Sequence, residues 1–265
     1  MDNPPEQGHS VRRMNPKQVR VRLYGALNDF LPPERRGVEF THAFTGTPSV
    51  KDLLESLGPP HPELEVILVD GQAVDFSHRV EDGSRVAAYP AFHTLDVTPL
   101  TRVGLPLPAE PRFALDVGLG RLSGFLRMLG FDTLWRNDYA DEELARLSRD
   151  EQRIVLTRDI GLLKRAEVGL GYFPRNTDPA DQLVEIVRRY QLTARMRPFT
   201  RCLACNASLA VAARDEVLDR IPDGVAATHS RFQQCPDCRR VYWPGTHHQR
   251  MQALVDKLRQ LEHEA

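Results

Sequence analysis

Two aspartates stand where short apolar runs give way to helical patterns. Asp116 follows the run Phe113-Ala-Leu, and Asp159 follows Ile154-Val-Leu-Thr-Arg. In an open parallel α/β sheet, the carboxyl ends of the strands form the edge where ligands and metals gather. Two carboxylates on adjacent strands would repel each other there unless a cation or a proton intervened. Because Mg²⁺ and Mn²⁺ prefer oxygen ligands, the pattern predicts a divalent-cation site that can activate water for attack on phosphorus.

Each of these acids also has a structural interpretation, because aspartate is a favoured helix N-cap. For Asp178 we favour the cap, since the following Pro179 suits the first position of a helix. Asp116 and Asp159 differ, because both follow strands expected near the centre of the sheet. For these two the sequence predicts a shared cation.

The four cysteines of the chain form two C-x-x-C pairs, Cys202 with Cys205 and Cys235 with Cys238. Each pair can form a knuckle that directs two thiolates at one ion, and two knuckles complete a closed, structural zinc site. A disulfide interpretation would need an oxidising compartment, for which nothing in the sequence argues. The neighbouring histidines are then expected at the surface rather than as ligands: His229, His247 and His248.

Aromatic and basic residues cluster around the second cysteine pair: Phe232, Arg239, Arg240, Tyr242 and Trp243. Such residues could stack bases and bind phosphates of RNA. Aromatic residues beside a zinc knuckle more commonly form its small core, and this interpretation is the favoured one.

The N-terminal part predicts the order strand, strand, helix, strand, strand, which is a β-grasp pattern. Val19-Arg-Val-Arg-Leu-Tyr24 alternates apolar and charged residues, as a half-buried strand should. Ser49-Val-Lys-Asp52 is a capping box that begins a helix, and Gly58 ends that helix. The later strands are predicted at Glu65 to Val69 and Arg85 to Ala88, and Asp70-Gly71 forms a turn after the first of them.

This part resembles the ubiquitin-like sulfur carriers, such as the small subunit of molybdopterin synthase, in its opening Val19-Arg-Val-Arg-Leu-Tyr-Gly-Ala-Leu27. Those carriers need a C-terminal Gly-Gly, whereas here the chain runs on through Ala88-Tyr-Pro-Ala-Phe-His93. We therefore expect the domain to dock to a protein partner or to act as a scaffold.

Strands alternate with helices after Arg112, which predicts right-handed βαβ units and a parallel sheet. Four prolines between Pro99 and Pro111 predict a semi-rigid linker. The predicted divisions are a disordered lead-in (1–18), a β-grasp domain (19–95), a Pro-rich linker (96–111), a PIN-like α/β domain (112–198), a zinc ribbon (199–250) and a terminal helix (251–265).

The composition is that of a soluble globular protein of two or three domains, with 265 residues, 41% hydrophobic residues and a net charge of −1. The low net charge argues against a protein that coats nucleic acid. No run approaches the roughly 18 apolar residues of a membrane span. Since the N-terminus lacks the apolar centre of a secretory signal, we expect a cytoplasmic protein.

The motifs together resemble the Mut-seven C-terminal RNase family, a branch of the PIN-like nucleases with an appended zinc ribbon. Bacterial members with a ubiquitin-like N-terminal domain share the whole layout. The matching segments are Asp116-Val-Gly-Leu-Gly-Arg-Leu122, Leu126-Arg-Met-Leu-Gly-Phe-Asp-Thr133, Asp141-Glu-Glu-Leu144, Arg153-Ile-Val-Leu-Thr-Arg-Asp159, the cysteine pairs and Val241-Tyr-Trp-Pro-Gly245.

The resemblance implies a metal-dependent ribonuclease in which Asp116, Asp141 and Asp159 hold Mg²⁺ or Mn²⁺. Asp141 best fits the family position, but the sequence leaves three nearby acids as substitutes: Asp138, Glu142 and Glu143. Arg121 and Arg158 could contact the scissile phosphate, and a solvated or salt-bridged role is an equal alternative. Two other functions stay open, a non-catalytic RNA-binding or adaptor protein and a sulfur-transfer or protein-modifier component that acts through the β-grasp domain.

Overall fold

The structure of the chain is a computed structural model that describes residues 16–92 and 94–260. Most of the predicted disordered lead-in and the end of the predicted terminal helix lie outside the described residues. The mixed α/β architecture predicted from the sequence is confirmed: a β-grasp domain, a parallel-sheet α/β domain and a small antiparallel ribbon that carries the cysteines.

The β-grasp domain is a five-stranded sheet, in the order β2-β1-β5-β3-β4, that packs against one helix. The central strands β1 and β5 are parallel, and the other neighbours are antiparallel. Its elements are β1 (Lys17–Leu23), β2 (Phe40–Phe44), α1 (Val50–Leu57), β3 (Val66–Val69), β4 (Gln72–Ala73) and β5 (Arg85–Tyr89).

Local sequence accounts for the ends of two of these elements. The Ser49 hydroxyl accepts from Asp52 N at 3.1 Å, and Asp52 Oδ2 accepts from Ser49 N at 3.3 Å, so the predicted capping box is confirmed. Asp70 and Gly71, with φ values of 49° and 83°, form the predicted turn. The turn adds β4, which the sequence pattern did not predict because the strand has only two residues.

The α/β domain is built on a four-stranded parallel sheet in the order β7-β6-β8-β9. Its elements are β6 (Phe113–Leu115), α2 (Gly120–Met128), β7 (Thr133–Trp135), α3 (Asp141–Glu151), β8 (Ile154–Leu156), α4 (Ile160–Leu163), β9 (Gly171–Tyr172) and α5 (Pro179–Arg189). Because β6 lies between β7 and β8, residues that follow these three strands meet at one edge. Asp178 caps α5, as predicted, by accepting from Ala180 N at 2.8 Å.

The ribbon is a three-stranded antiparallel sheet in the order β10-β11-β12. Its elements are β10 (Ala210–Ala212), α6 (Arg214–Val217), α7 (Asp223–Thr228), β11 (Phe232–Gln234) and β12 (Val241–Tyr242), and α8 (Thr246–Gln260) follows. Helix α8 begins earlier than the predicted terminal helix. Its Val255 and Leu258 are fully buried in the same core as Phe113 of β6, so the ribbon is joined to the α/β domain by a shared core.

The segment between the first two domains packs against both of them. Val103 is buried in the core of the β-grasp domain, and Leu107 packs against the core of the α/β domain. The sequence predicted a linker because proline is frequent, but these apolar side chains fix it to its neighbours. None of the helices formed by residues 16–92 and 94–260 is long and apolar enough to cross a membrane.

An ion pair between Glu63 and Arg175 joins the β-grasp domain to the α/β domain. The Arg175 guanidinium donates to the two Glu63 carboxylate oxygens at 2.8 and 3.0 Å, and Phe173 N donates to Oε1 at 2.8 Å. The Glu63 side chain is only 2% exposed and that of Arg175 is 19% exposed. The ring of Phe30 packs edge-on against Phe173, with 5.9 Å between centroids. The two domains therefore meet in a partly desolvated contact beside the loop that follows β9.

We expect Arg175→Met to lower the free energy of unfolding by about 3 kcal/mol, because the substitution leaves the Glu63 carboxylate buried without its cation. Urea denaturation followed by circular dichroism measures the change. The matched control is Arg197→Met, which removes an ion pair with Glu110 whose side chains are 73% and 77% exposed. An exposed pair contributes less than about 1 kcal/mol. Equal losses in the two variants would contradict this role of Arg175.

Candidate functional site

Asp116 lies at the carboxyl end of the central strand β6, where both of its carboxylate oxygens are bonded. Its Oδ1 accepts from Val117 N at 2.6 Å, as a cap of the short 3₁₀ turn that follows the strand. Its Oδ2 accepts from the Thr157 hydroxyl at 2.7 Å. Asp116 is therefore both a helix cap and a residue of the edge where the strands end.

Asp159 reaches the same edge from the end of β8. Its Oδ1 accepts from Gly161 N at 2.6 Å and from Leu162 N at 3.3 Å, which caps α4. Its own backbone N–H donates to Thr157 Oγ1 at 2.9 Å. The Thr157 hydroxyl thus bridges the two acidic positions.

Thr157 is fully buried and was not selected from the sequence as a site residue. It lies inside the motif Ile154-Val-Leu-Thr-Arg-Asp159, as a polar residue at the end of an apolar run. A buried hydroxyl needs a hydrogen-bond partner. The place of Thr157 at the end of the apolar run was therefore the signal in the sequence that it contacts another polar group. Its contact with Asp116 depends on the pairing of β6 with β8, which the sequence does not display.

Asp141 is the first residue of α3 and approaches the other two aspartates from the connection after β7. Partial burial, followed by the negative charges of Asp159 and Asp116, raises the pKa of Asp141 above its ordinary value. Like charges disfavour ionisation of a neighbouring carboxyl, so this shift marks the three acids as one electrostatic group.

The other acids of this segment have cationic partners of their own. Arg136 donates to Asp138 at 2.9 Å and to Glu143 at 3.2 Å. Glu143 Oε2 also accepts from Ala140 N at 3.1 Å and so helps to cap α3. Glu142 accepts from Arg165 at 3.1 Å, and its side chain is 64% exposed. Asp138, Glu142 and Glu143 are thus each bonded to an arginine, whereas the pKa of Asp141 responds to the charges of Asp159 and Asp116.

The carboxylates of Asp116, Asp141 and Asp159 do not close into a cage of protein ligands. Within residues 16–92 and 94–260, the cysteines form the only group of three or more candidate ligand atoms that lie within 4.8 Å of one another. Mg²⁺ keeps several waters and commonly binds through one or two carboxylates. The open arrangement of the three acids is compatible with such an ion.

The two arginines selected from the sequence lie on segments that directly follow β6 and β8. Arg121 is exposed on the first turn of α2. Arg158 is exposed beside Asp159, and its guanidinium lies 5.7 Å from the centre of the Phe173 ring, with Nη1 3.5 Å from Asn176 O. Arg158 therefore contacts the loop that also receives the β-grasp domain.

Trp135 supports the turn that carries Asp116 and was not predicted from the sequence. Its indole Nε1 donates to Val117 O at 3.1 Å. Its ring also lies against Gly120, where an added Cβ would come within 2.6 Å of Trp135 Cζ2. Glycine at this position in the motif Asp116-Val-Gly-Leu-Gly120 is required by that contact.

The four cysteines form a compact group of free thiols at the base of the ribbon. Their sulfurs lie within 4.8 Å of one another, with 3.5 Å between Cys202 and Cys238 and 3.3 Å between Cys205 and Cys235. A tetrahedral zinc ion with Zn–S bonds of about 2.3 Å holds its sulfurs about 3.8 Å apart. The group therefore fits a structural zinc site.

The two knuckles have the same backbone geometry. Asn206 and Arg239 each follow the second cysteine of a pair and have positive φ values of 77° and 64°. Their N–H groups donate to the carbonyls of Cys202 and Cys235, at 2.9 and 3.0 Å. This shared turn directs both thiolates of each pair toward one point.

The first knuckle is attached to the amino edge of the parallel sheet, opposite the aspartates. Buried Arg127 donates to the carbonyls of Leu203, Ala204 and Thr133 at 3.0, 2.9 and 3.0 Å. Asn206 also contacts Thr133, since its Oδ1 accepts from Thr133 N at 2.9 Å. Because Thr133 begins β7 and Asp116 follows the end of β6, the ribbon and the acidic group lie at opposite edges.

An ion pair at this amino edge completes the attachment of the ribbon. Asp132 accepts from Arg153 and from Asn206, both at 2.8 Å. Burial alone would raise the pKa of Asp132, but the hydrogen bonds from Arg153 and Asn206 hold it below its ordinary value. The carboxylate is therefore kept charged between the two domains.

The aromatic residues near the second knuckle have mainly structural contacts. Phe232 is 2% exposed within the ribbon core, against which Trp243 packs. The Tyr242 hydroxyl lies 3.1 Å from Cys202 Sγ and accepts from Leu203 N at 3.1 Å. Of the three histidines near the cysteines, His229 and His248 are half-buried and His247 is exposed, and none belongs to the sulfur group.

These features define a β-grasp domain docked to a parallel-sheet α/β domain that has an acidic carboxyl edge and a cysteine-bearing ribbon. The model of the Mut7-C RNAse domain matches residues 111–255, and the model of the Mut7-C ubiquitin domain matches residues 16–96. The chain belongs to the Mut7-C RNAse domain family, with a ubiquitin-like N-terminal domain, and its predicted family is confirmed. Searches of the curated proteins and of the solved structures found no significant match.

If the sulfur group holds zinc, the purified chain contains one zinc ion, and Cys205→Ser loses it. Loss of zinc is expected to lower the melting temperature, because metal binding contributes free energy of folding. Metal analysis and thermal denaturation measure the two effects. His229→Ala should keep its zinc, and an unchanged zinc content in Cys205→Ser would contradict the assignment.

Proposed function

We propose that the chain is a metal-dependent ribonuclease that hydrolyses RNA phosphodiester bonds at the carboxyl edge of its parallel sheet. The observation that carries the proposal is the electrostatic grouping of Asp116, Asp141 and Asp159 in a domain of the Mut7-C RNAse family. Three carboxylates that repel one another at a solvent-accessible edge gain stability when a cation joins them. The family supports a nuclease role, and this grouping supports the metal.

A bound Mg²⁺ or Mn²⁺ would lower the pKa of a coordinated water and stabilise the leaving oxygen of the phosphodiester. The carboxylates of Asp116, Asp141 and Asp159 would hold the ion. The Thr157 hydroxyl orients the Asp116 carboxylate, while backbone N–H groups orient Asp159. Exposed Arg121 and Arg158 lie close to Asp116 and Asp159 in the sequence and would bind phosphates of the substrate.

The remaining parts of the chain have supporting roles in this proposal. The cysteine group would hold a structural zinc ion, and the β-grasp domain would offer a surface to a protein partner. The free thiols suit a reducing compartment, and we place the protein in the cytoplasm. A sulfur-carrier function is less well supported, because β5 continues into a segment that packs against both domains.

Asp159→Asn is expected to reduce Mn²⁺-dependent cleavage of single-stranded RNA by more than about 100-fold, because it removes a charged ligand from the proposed ion. Gel analysis of a labelled RNA measures the rate. The matched control is Asp150→Asn, which makes the same chemical change at an exposed residue paired with Arg149. Similar rates in wild type and Asp159→Asn would assign the cleavage to a contaminant.

The same assay distinguishes a ribonuclease from a non-catalytic RNA-binding or adaptor protein. The adaptor alternative predicts RNA binding without turnover and no rise in melting temperature with Mn²⁺. We expect Mn²⁺ to raise the melting temperature of wild type but not of Asp116→Asn. For the third acid, Asp141→Asn should slow cleavage more than Glu142→Gln, because Glu142 is paired with Arg165.

Thr157→Val should reduce cleavage and lower the free energy of unfolding by about 1–3 kcal/mol, since it removes a buried hydroxyl with two partners. Thr157→Ser keeps the hydroxyl and should retain most of the activity. Cleavage rates and urea denaturation of the two variants measure the effect. If both variants behaved alike, the bridging hydroxyl would have no role in the site.

A further inference from the structure

A depression of about 480 Å³ lies between the ribbon sheet and α8, away from the aspartates. Its apolar walls include Phe199, Leu209, Trp243 and Met251. The rings of Phe199 and His248 lie against each other at a tilt, with 4.2 Å between centroids and 32° between their planes. Flat rings around an open space of this size provide stacking surfaces for a planar ligand.

The charged side chains of this depression are arginines. Among residues 16–92 and 94–260, Arg201 and Arg231 line it and no carboxylate does. Arg231 is exposed. Arg201 is half-buried, and its Nε donates to Gly130 O at 3.1 Å while Nη1 donates to Asn206 O at 2.8 Å. Arg201 is therefore held in place by the backbone, and the lining favours an anionic ligand over a cationic one.

A second depression, of about 340 Å³, adjoins the first and shares Arg201 with it. Its charged lining residues are Arg112, Arg195, Arg197, Arg201, Glu110 and Asp132. Arg112, Arg197 and Arg201 form ion pairs with Glu151, Glu110 and Asp132, at 3.8, 3.3 and 4.0 Å. Asp132 is bonded more closely to Arg153 and Asn206, so the four arginines of the lining still outnumber its two acids. The basic depression thus continues the aromatic one along the junction of the ribbon and the α/β domain.

We propose that these two depressions form a distal RNA site, which binds single-stranded RNA with a base in the aromatic depression and phosphates along the arginines. Single-stranded nucleic acid is commonly bound by aromatic stacking surfaces combined with a positively charged groove. Bases of a duplex are stacked inside the helix, so only unpaired bases could enter the aromatic depression. A basic peptide would be repelled by the arginines, which outnumber the two acids that line these depressions.

The distal RNA site rests on the proposed function, because it takes the same substrate as the acidic group. It is separate from that group, since the ribbon is attached at the amino edge of the sheet. Strands of three residues, such as β6, place the two edges about 10 Å apart. A strand of RNA must therefore cross the domain to occupy both sites.

The test uses the full-length, zinc-loaded protein without Mg²⁺ or Mn²⁺ and a fluorescently labelled oligouridine, with binding measured by anisotropy. Arg231→Ala should weaken binding about fivefold. It should also reduce the slope of log K against log salt concentration by about 0.7 for each phosphate contact that is lost. His248→Ala should also weaken binding about fivefold, because it removes a stacking ring. Circular dichroism establishes that both variants fold.

Two exposed arginines of the ribbon supply matched controls. Arg214→Ala and Arg220→Ala make the same change in charge, and neither residue lines the two depressions. Both variants should bind oligouridine within about twofold of wild type. If Arg231→Ala and His248→Ala bound as well as these controls, or if wild type bound no RNA, the distal RNA site would be wrong.

A parallel cleavage assay with Mn²⁺ separates this proposal from the proposed function. Asp159→Asn should bind oligouridine like wild type but fail to cleave it. Cleavage by wild type together with unchanged binding by Arg231→Ala and His248→Ala would keep the ribonuclease and exclude the distal RNA site. Binding that depends on Arg231 and His248 without any cleavage would keep the distal RNA site and exclude catalysis.

Discussion

The repulsion among three carboxylates at one edge of a parallel sheet is the constraint on which the candidate site depends. Asp116, Asp141 and Asp159 reach this edge from three successive strands, and partial burial together with the charges of Asp159 and Asp116 raises the pKa of Asp141. The fold holds them through short contacts: backbone N–H groups bind Asp116 and Asp159, and the Thr157 hydroxyl lies between them. The protein itself thus holds these acids in place, as the proposed metal site requires.

At the opposite, amino edge of the same sheet, the charged side chains have partners of opposite charge or backbone carbonyls as partners. There Asp132 is satisfied by Arg153 and Asn206, and Arg127 donates to carbonyls of the first cysteine knuckle. These bonds, with the shared core of α8, make the ribbon part of the α/β domain. The amino edge is filled by the ribbon, so the short sheet places the candidate site and the attachment of the ribbon at opposite ends of its strands.

The β-grasp domain is also fixed near the acidic edge. Its Glu63 binds Arg175 in the loop after β9, and Arg158 contacts the same loop through Phe173 and Asn176. The domain therefore borders the residues that follow β8 and β9. This placement gives a ubiquitin-like domain that continues into further chain a structural reason to stay attached to the α/β domain.

The sequence by itself determined the family, the order of most helices and strands, the capping box at Ser49, the cap at Asp178 and the cysteine pairs. These features depend on local spacing and hydrophobic periodicity, which a single chain displays directly. Only the tertiary structure decided four other features. These are the grouping of Asp141 with Asp116 and Asp159, the bridging hydroxyl of Thr157, the packing of the predicted linker, and the position of the ribbon at the amino edge. Each depends on which strands pair and which side chains become buried, and contacts between residues distant in sequence leave no local pattern.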